Sequence, residues 1–234
     1  TRTPDYPTAL NGLQVEGERE VRRIALAVDA SEQSIRTAAA AGADLLIVHH
    51  GLFWDGPGPI RGRRYRRLKA CIDAGLAVYA SHIPLDLHPE VGNNAVLARE
   101  LGIQIEGSFG EFKGVSLGVW GRLSLSREAL AARMDELLGV RVRLLAGGPE
   151  RLEKVGVVTG GGGSFIQEAI SAGLDGFVTG EGAHHTYFDA LEGGINVYYG
   201  GHYATETFGV KALGQKLAAE FGFETTFLDL PTGL

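Results

Sequence analysis

Short apolar runs alternate along the chain with amphipathic stretches, and this pattern predicts strands and helices in turn. The first strand-like runs cover residues 21–28, 45–48 and 76–80. They are short and bounded by glycine or polar residues, which is typical of buried strands in a parallel sheet. Apolar residues at helical spacing predict helices over residues 31–42, 61–75 and 93–101. Strands that alternate with helices of this length form βαβ units, so the sequence predicts an α/β fold with mostly parallel sheets.

Two stretches depart from this rhythm. Residues 1–20 contain Pro4, Pro7 and Gly12 with little periodicity, which predicts an irregular arm. A loop rich in glycine and proline covers residues 56–59 and separates the second apolar run from the next helix.

A middle segment combines a strand, a helix and a strand. Residues 115–125 alternate between apolar and polar side chains, Ser126 is placed to cap a helix that reaches Leu138, and residues 140–145 form another strand-like run. We interpret this segment as a connecting β-α-β unit. The predicted organisation is therefore one unit of 234 residues, in three parts at about residues 1–106, 107–150 and 151–234.

The last part repeats the first. Residues 157–175 follow the pattern of residues 26–44, and Val197-Tyr198 before His202 matches Val78-Tyr79 before His82, with one residue more in the second copy. A carboxylate, Asp86 or Glu206, lies four residues after the histidine in each copy. The repeat predicts two similar α/β lobes from an internal duplication, whose strand-end loops face each other across a cleft.

Imidazoles and carboxylates gather at the predicted strand ends. The apolar run of residues 45–48 ends in His49 and His50, followed by Gly51, and the carboxyl ends of parallel strands are where α/β proteins place functional residues. Five residues in such positions are candidate metal ligands: His49, His50, Asp86, His202 and Glu206. Imidazole with carboxylate suits zinc, iron or manganese. Five ligands exceed one open site and suit two divalent ions with a bridging carboxylate, in the cleft between the lobes.

Composition narrows the class of protein. The chain is 44% hydrophobic and contains 35 glycines, as expected of a globular protein with many tight turns. Its single cysteine, Cys71, excludes an internal disulfide and a thiolate-rich zinc site, and we expect it to be buried. The net charge of −6 does not favour nucleic acid as a partner. No apolar run approaches the roughly 20 residues that span a bilayer, so we expect no membrane partner and a cytoplasmic location.

Other residues are candidates by position. His82, Glu181 and His184 lie at strand ends, where they could transfer protons or orient a substrate. For His82, a place beside the ligands is favoured over ligation, because Pro84 restricts its loop. The pair His184-His185 fits a helix cap with exposed rings as well as a role lining a cavity.

Two segments are candidates for binding anions. The glycine-rich turn (residues 160–164) follows a strand and precedes a helix, so its backbone N–H groups could hold an anion, but a tight turn is the favoured interpretation. Arg63 and Arg67 share one face of the basic helix after the His-His motif. They are candidate substrate-binding residues, with a solvated basic surface as the alternative.

Several motifs together resemble a known family. They are Asn11-Gly12-Leu13-Gln14-Val15, Val48-His49-His50-Gly51-Leu52-Phe53, Ser81-His82-Ile83-Pro84-Leu85-Asp86 with Gly92-Asn93, Thr179-Gly180-Glu181 before His184-His185, and Gly201-His202-Tyr203-Ala204-Thr205-Glu206. Nearly the whole chain resembles the Nif-three-like (NGG-interacting-factor-like) proteins, often named GTP cyclohydrolase I type 2 homologues. The resemblance implies two similar α/β lobes, a dinuclear metal centre on the same five ligands, and a toroidal homohexamer.

The chain departs from the family pattern at two places. Thr8-Ala9-Leu10 stands where the family commonly carries a tryptophan before its Asn-x-Gly motif. The middle segment is short where some relatives carry a large inserted domain, so the chain is similar to the compact form.

Three functions fit this site. A dinuclear metal-dependent hydrolase would act on a small phosphorylated or heterocyclic substrate. A metal-binding regulatory or scaffold protein would bind protein or nucleic-acid partners without turnover. A metal storage or insertion protein would hold its ions loosely.

Overall fold

A computed structural model describes residues 3–56 and 58–234 of the chain. Thr1, Arg2 and Pro57 lie outside the described residues. The predictions of an irregular arm and of a loop at residues 56–59 therefore stay predictions at these three positions.

Strands and helices alternate along the described chain as the hydrophobic pattern predicts. The strands are β1 Gly12–Val15, β2 Arg23–Asp29, β3 Leu45–His50, β4 Ala77–Ala80, β5 Gln104–Phe112, β6 Val115–Ser126, β7 Arg143–Ala146, β8 Arg151–Val157, β9 Gly176–Thr179, β10 Asn196–Tyr199 and β11 Glu224–Phe227. The α-helices are α1 Glu32–Ala40, α2 Arg63–Ala74, α3 Ile83–Asp86, α4 Asn93–Glu100, α5 Arg127–Leu138, α6 Ile166–Ser171, α7 Thr186–Gly193, α8 His202–Thr205 and α9 Thr207–Phe221. A short 3₁₀ helix, Gly162–Phe165, precedes α6.

The strands form two sheets, which confirms the predicted α/β class. The first sheet has the order β1-β4-β3-β2-β11, and all its pairings are parallel except that of β1 with β4. The second sheet has the order β5-β6-β8-β9-β10-β7, in which β8, β9 and β10 are parallel and the other pairings are antiparallel. The second sheet is thus mixed, because the strands of the middle segment join it antiparallel.

The chain divides into two compact units. The first unit runs up to Leu85 and includes Gly209–Leu230, and the second consists of Asp86–Phe208 with Pro231–Leu234. These divisions describe compactness, whereas the boundaries near residues 106 and 151 describe the repeat and stay a prediction.

Each unit has its own apolar core. In the first, α1 and α2 cover β2, β3 and β4, with Ile35, Leu46, Cys71, Leu76 and Val78 fully buried. Cys71 is buried as expected, and burial raises the pKa of its thiol to about 11. In the second unit, the fully buried residues include Leu97, Leu130, Met134, Leu152 and Tyr198.

The internal duplication is visible in the hydrogen bonds. Asp44 precedes β3, and its carboxylate accepts from the backbone N–H groups of Arg22 and Arg23, each at 3.0 Å. Asp175 precedes β9 and does the same for Glu153 and Lys154, at 2.9 and 2.8 Å. The strands β2, β3 and β4 therefore correspond to β8, β9 and β10, and the prediction of two similar lobes is confirmed.

β1 and β5 are among the strands that the sequence did not predict. Gly12–Val15 forms the edge strand β1 within the predicted irregular arm, and it pairs with β4 through an irregular register. Gln104–Phe112 forms β5, joined to β6 by a turn in which Lys113 and Gly114 have φ of 49° and 84°. Both strands lack regular alternation of buried and exposed residues, so period 2 does not reveal them.

Within residues 3–56 and 58–234, every helix is too short or too polar to cross a bilayer.

Candidate metal centre

The His-His motif forms the end of β3 in the first unit. His50 pairs in register with Asp29 at the end of β2, and Val48 pairs with Ala80 at the end of β4. The rings of His49 and His50 lie 4.7 Å apart between centroids. Parallel pairing has thus brought three strand ends together at one edge of the sheet.

His82 joins these two histidines. One ring nitrogen from each of His49, His50 and His82 could bind a metal ion, and these three atoms lie within 4.8 Å of one another. His82 follows β4, and its ring centroid is 4.9 Å from that of His49. The sequence favoured a place for His82 beside the ligands, and the structure gives it a position from which it could also hold a metal ion.

Each histidine of this group is oriented through its Nδ1 atom. His49 Nδ1 lies 3.0 Å from the carbonyl oxygen of Ser81, and His50 Nδ1 lies 3.0 Å from Asp29 Oδ1. Both partners only accept hydrogen bonds, so we assign the Nδ1–H tautomer, in which the lone pair is on Nε2. Metal-binding histidines are commonly held by such a hydrogen bond on the nitrogen that does not bind the metal.

The N-terminal arm orients His82. Asp5 Oδ1 lies 2.8 Å from His82 Nδ1, and Asp5 Oδ2 accepts from Asn11 Nδ2 at 2.7 Å. Asn11 Oδ1 accepts in turn from the backbone N–H of His82. Burial raises the pKa of the Asp5 carboxyl, but the hydrogen bonds from His82 and Asn11 outweigh it and leave the pKa below its ordinary value. Asp5 is therefore ionised and holds His82 in the same tautomer as His49 and His50.

A glutamine and a glycine shape the turn after His50. Gln14 Oε1 accepts from the backbone N–H of Leu52 at 2.7 Å, and its amide donates to the carbonyl of Leu10. A Cβ atom at Gly51 would overlap the Gln14 side chain. The turn directly after the two histidines therefore packs closely against the Gln14 side chain.

Aromatic side chains flank the three histidines. The Trp54 ring stands edge-on to His82 with centroids 4.8 Å apart, and Tyr6 lies 6.1 Å from Trp54. Thr8-Ala9-Leu10 lacks the tryptophan that the resemblance implies before the Asn-x-Gly motif, and Trp54 and Tyr6 supply aromatic surface at this group.

Asp86 begins the second unit at the end of α3. This single turn of helix, Ile83–Asp86, lies where the sequence predicted a loop. The Asp86 carboxylate is buried and accepts from Asn93 Nδ2 at 2.9 Å. Burial favours the neutral form of a carboxyl group, so a nearby cation would stabilise Asp86 in its ionised form.

The second unit carries its own group of imidazole and carboxylates. His202 begins α8 and Glu206 is its C-cap residue, and His202 Nε2 lies 3.2 Å from Glu206 Oε2. His202 Nδ1 lies 2.7 Å from Oε1 of Glu181, which follows β9. His202 therefore repeats the arrangement of the first unit, with Nδ1 held by an acceptor and Nε2 facing a candidate ligand.

The charge state of His202 follows from its two carboxylates. The hydrogen bond with Glu206 is the largest effect on the pKa of His202 and outweighs burial; with the contribution of Glu181, it raises that pKa to about 9. Without a metal ion, His202 is therefore an imidazolium at neutral pH and donates to both carboxylates. A cation that binds Nε2 must displace this proton.

The glycine-rich turn packs against these side chains. Gly160 has φ of 63°, and a Cβ atom there would overlap Glu206 Oε1. Its N–H donates to Thr205 Oγ1 at 3.0 Å. The N–H of Gly163 donates to the carbonyl of Glu181 at 3.1 Å. The backbone of the turn thus packs closely against Glu206. This packing favours the interpretation of residues 160–164 as a tight turn over that of an anion site.

A cavity of about 400 Å³ lies in the second unit, between the glycine-rich turn and the loop after β9. We call it the Glu181 cavity. Its walls include Ser164, Glu181, His185 and Thr186. His185 is also the N-cap residue of α7, so both interpretations of the His184-His185 pair apply to it. His184 is exposed, and its ring lies edge-on to Phe188 at 6.0 Å.

The two arginine candidates lie on α2. Arg63 Nη2 is 2.6 Å from both oxygens of Asp55, so binding a substrate anion there requires this ion pair to open. Arg67 is half-buried beside Phe53 and Asp55, around a cavity of only about 10 Å³. A role for Arg63 and Arg67 in substrate binding stays a prediction.

The structure brings the predicted residues together within each unit. His49, His50 and His82 form one group, and His202, Glu206 and Glu181 form another. The union of the two groups with Asp86 in a single dinuclear centre stays a prediction.

Sequence reasoning missed the residues that orient the histidines. Asp29 ends β2 in register with His50, so the rule of functional strand ends could have identified it. Asp5 offers no comparable signal, because it lies 77 residues from His82 in an arm without periodicity.

These features define a class of protein: two α/β units with histidines and carboxylates at their strand ends, in arrangements that could hold metal ions. The family model Duf34/NIF3 (NGG1p interacting factor 3) matches residues 7–232, and the chain belongs to this family.

Curated relatives and solved structures agree with this family. A protein of Deinococcus radiodurans named GTP cyclohydrolase 1 type 2 homolog is 47% identical over 232 residues, which are 98% of this chain and 88% of that protein. A solved structure of protein ybgI, described as of unknown function, has a TM-score of 0.92 at 40% identity and covers 98% of this chain and 93% of its own. The crystal structure of TTHA1606 from Thermus thermophilus has a TM-score of 0.89 at 44% identity, with 98% and 92% covered.

Proposed function

We propose that this protein is a dinuclear metal-dependent hydrolase of a small phosphorylated or heterocyclic substrate. Two divalent cations, drawn from zinc, iron and manganese, would share five ligands: His49, His50, Asp86, His202 and Glu206. The two histidines come from the first unit and the other three residues from the second, so the proposed centre requires both.

One observation carries the proposal. Four imidazoles at strand ends, those of His49, His50, His82 and His202, each have Nδ1 within 3.0 Å of an oxygen that only accepts hydrogen bonds. In each of these four histidines, Nε2 is then the atom available to bind a metal ion. His88 shows the opposite arrangement, because its Nδ1 accepts from the backbone N–H groups of Glu90 and Val91. The residues at the strand ends therefore fit a metal centre, and the chain supplies its own contrasting histidine.

The proposed chemistry combines the cations with protons held by the protein. When bound, a pair of divalent cations polarises a substrate oxygen and lowers the pKa of water toward 7. Glu181 and His202 share a proton at Nδ1, and Asp5 and His82 share another. His82, Glu181 and His184 are the proposed groups for moving protons or orienting the substrate.

The names of the relatives support the heterocyclic substrate. The Deinococcus radiodurans protein is named a homolog of GTP cyclohydrolase 1 type 2. We extend this name to the present chain as a proposal that hydrolysis opens a ring at a C–N bond.

A non-catalytic alternative also has support. The family description refers to an interacting factor, which is compatible with a metal-binding regulatory or scaffold protein. A broad test of turnover separates this alternative from the hydrolase.

The test uses stoichiometrically loaded protein. Protein containing manganese, zinc or iron is assayed against a panel of phosphoesters, cyclic amides and nitrogen heterocycles. We expect turnover of at least one class, and His50→Ala should lower it by about a hundredfold or more, because loss of a ligand exceeds the tenfold to hundredfold cost of losing a ligand's hydrogen-bond partner.

His88→Ala is the matched control and should retain the wild-type rate. Loaded protein that turns over none of the panel would instead leave the metal-binding alternative.

A further inference from the structure

The sequence suggested an anion site at the glycine-rich turn, but the Glu181 cavity beside this turn suits a different kind of ligand. Its volume of about 400 Å³ is that of a pocket for a small molecule. Gly161 and Gly163 form part of one wall without side chains, and Ser164, Glu181 and His185 contribute polar groups. A wall of glycine backbone lets a flat ring approach closely.

The walls do not suit an anion. Glu181 is the one carboxylate among the described residues that line the cavity, and no lysine or arginine is among them. The N–H of Gly163 is already used by the carbonyl of Glu181, and the Thr186 hydroxyl donates to the carbonyl of Ala183 at 2.6 Å. A phosphate group would meet the Glu181 carboxylate without a lysine or arginine to offset its charge, so the cavity favours ligands that donate hydrogen bonds.

Glu181 can serve a ligand and His202 together. Its Oε1 atom accepts from His202 Nδ1, and the side chain is 56% exposed. A carboxylate has about four lone-pair positions. Two adjacent N–H groups on a planar ring therefore find acceptors on a carboxylate that is already oriented by His202.

We propose that the Glu181 cavity binds a planar nitrogen heterocycle that presents adjacent N–H donors to the Glu181 carboxylate. This rests on the proposed function and narrows its substrate to the heterocyclic class. Because Glu181 accepts a hydrogen bond from His202, the bound ring lies next to a proposed ligand of the metal centre. In the duplication, Glu181 stands where the first unit has His50, at the end of the second parallel strand of its lobe.

The test measures binding of a ring fragment by the full chain. The probe is 2-amino-4-hydroxypyrimidine, which in its 4-oxo tautomer has an adjacent ring N–H and amino group that match a carboxylate. Dissociation constants are measured by NMR titration for this probe, for 4-hydroxypyrimidine, which lacks the amino group, and for inorganic phosphate. We expect the amino compound to bind at least about tenfold more tightly than either of the other two.

Three variants locate the site. Glu181→Gln keeps an acceptor for His202 but loses the charge, and it should raise the dissociation constant of the probe at least about tenfold. Ala183→Leu narrows the cavity and leaves the Glu181 carboxylate in place, and it should raise the dissociation constant of the probe by a similar factor. Glu168→Gln removes an exposed carboxylate that does not line the cavity and should leave the affinity unchanged.

Phosphate binding tighter than that of the probe, or unchanged probe affinity in both Glu181→Gln and Ala183→Leu, would overturn the proposal. The metal content of the same samples, measured by elemental analysis, keeps the two proposals apart. Metal-loaded protein that does not bind the ring contradicts only this inference. Ring binding by protein that takes up no metal supports it and contradicts the dinuclear centre.

Discussion

At the scale of single residues, the chemistry of this protein depends on which ring nitrogen of each histidine is occupied. His49 and His50 are held through Nδ1 by a carbonyl and a carboxylate, whereas His88 accepts at the same atom. The same residue type is thereby a candidate ligand at the strand ends and a structural group in the loop. The partner of Nδ1 is a stronger indication of ligation than the presence of histidine alone.

Metal uptake should depend on pH through His202. Glu206, assisted by Glu181, raises the pKa of His202 to about 9, so the metal-free site holds a proton at neutral pH that a cation must displace. The affinity for Zn²⁺ should therefore rise with pH by up to about tenfold per unit and level off above pH 9. Calorimetric titrations at pH 7.5, in buffers of different ionisation enthalpy, should show release of about one proton.

The same titrations near pH 9 provide the control. There the metal-free site holds less of this proton, so the proton release should be smaller than at pH 7.5. An affinity that stays constant between pH 7 and 9, without proton release, would contradict the assignment of His202 as a ligand.

Gly160 should be indispensable for the shape of the second group. Gly160→Ala places a side chain at φ 63° and against Glu206, so we expect a loss of about 1–2 kcal/mol from the backbone and a lower metal content. Denaturant unfolding and elemental analysis measure these effects. Gly173→Ala is the matched control, because Gly173 has φ of 67° with no atom within 4 Å of the added Cβ. Gly173→Ala should lower the free energy of unfolding but leave the metal content unchanged. An equal loss of metal in both variants would refute the steric explanation.

At the scale of elements, two aspartates before β3 and β9 tie neighbouring strands together. Asp44→Ala and Asp175→Ala should each lower the free energy of unfolding by about 1–2 kcal/mol, since each removes an acceptor for two backbone N–H groups. Denaturant unfolding measures both. Asp73→Ala, which removes an exposed i,i+4 ion pair with Lys69, should cost less than about 0.5 kcal/mol. A similar small effect at Asp44 or Asp175 would show that the duplicated contacts do not stabilise the sheets.

Elements with strong local signals could be predicted from the sequence. The apolar run before His49 forms β3, and Ser126 caps α5 by accepting from the N–H of Ala129. β1 could not be predicted, because it pairs with β4, which is distant in the sequence. β5 pairs with the next strand, β6, but its burial does not alternate. In β5, Gly107 packs beneath Trp120, a contact that carries no local pattern.

The candidate site was predictable to a similar extent. Strand ends and the repeat identified His49, His50, His202 and Glu206 because chain position alone implies their location. The groups that orient them depend on register, as for Asp29, or on a fold of the arm, as for Asp5, and neither is encoded in a local pattern.

At the scale of the whole molecule, the resemblance to the family implies six copies in a ring. Light scattering after gel filtration should give six times the chain mass of 24.9 kDa. The same mass should be found for His49→Ala/His50→Ala, because the proposed ligands are not proposed contacts between copies. A monomer or dimer across a range of protein concentrations would contradict the hexamer.

The proposed centre of two metal ions requires both units of the chain. Elemental analysis of protein loaded with Zn²⁺ or Mn²⁺ and then freed of excess metal tests it most directly. Wild-type and His88→Ala protein should retain two ions per chain. His49→Ala/His50→Ala and His202→Ala should each lose at least one ion while keeping the circular dichroism spectrum of the folded protein. Retention of two ions per chain in either ligand variant, or uptake of none by the wild type, would contradict the account.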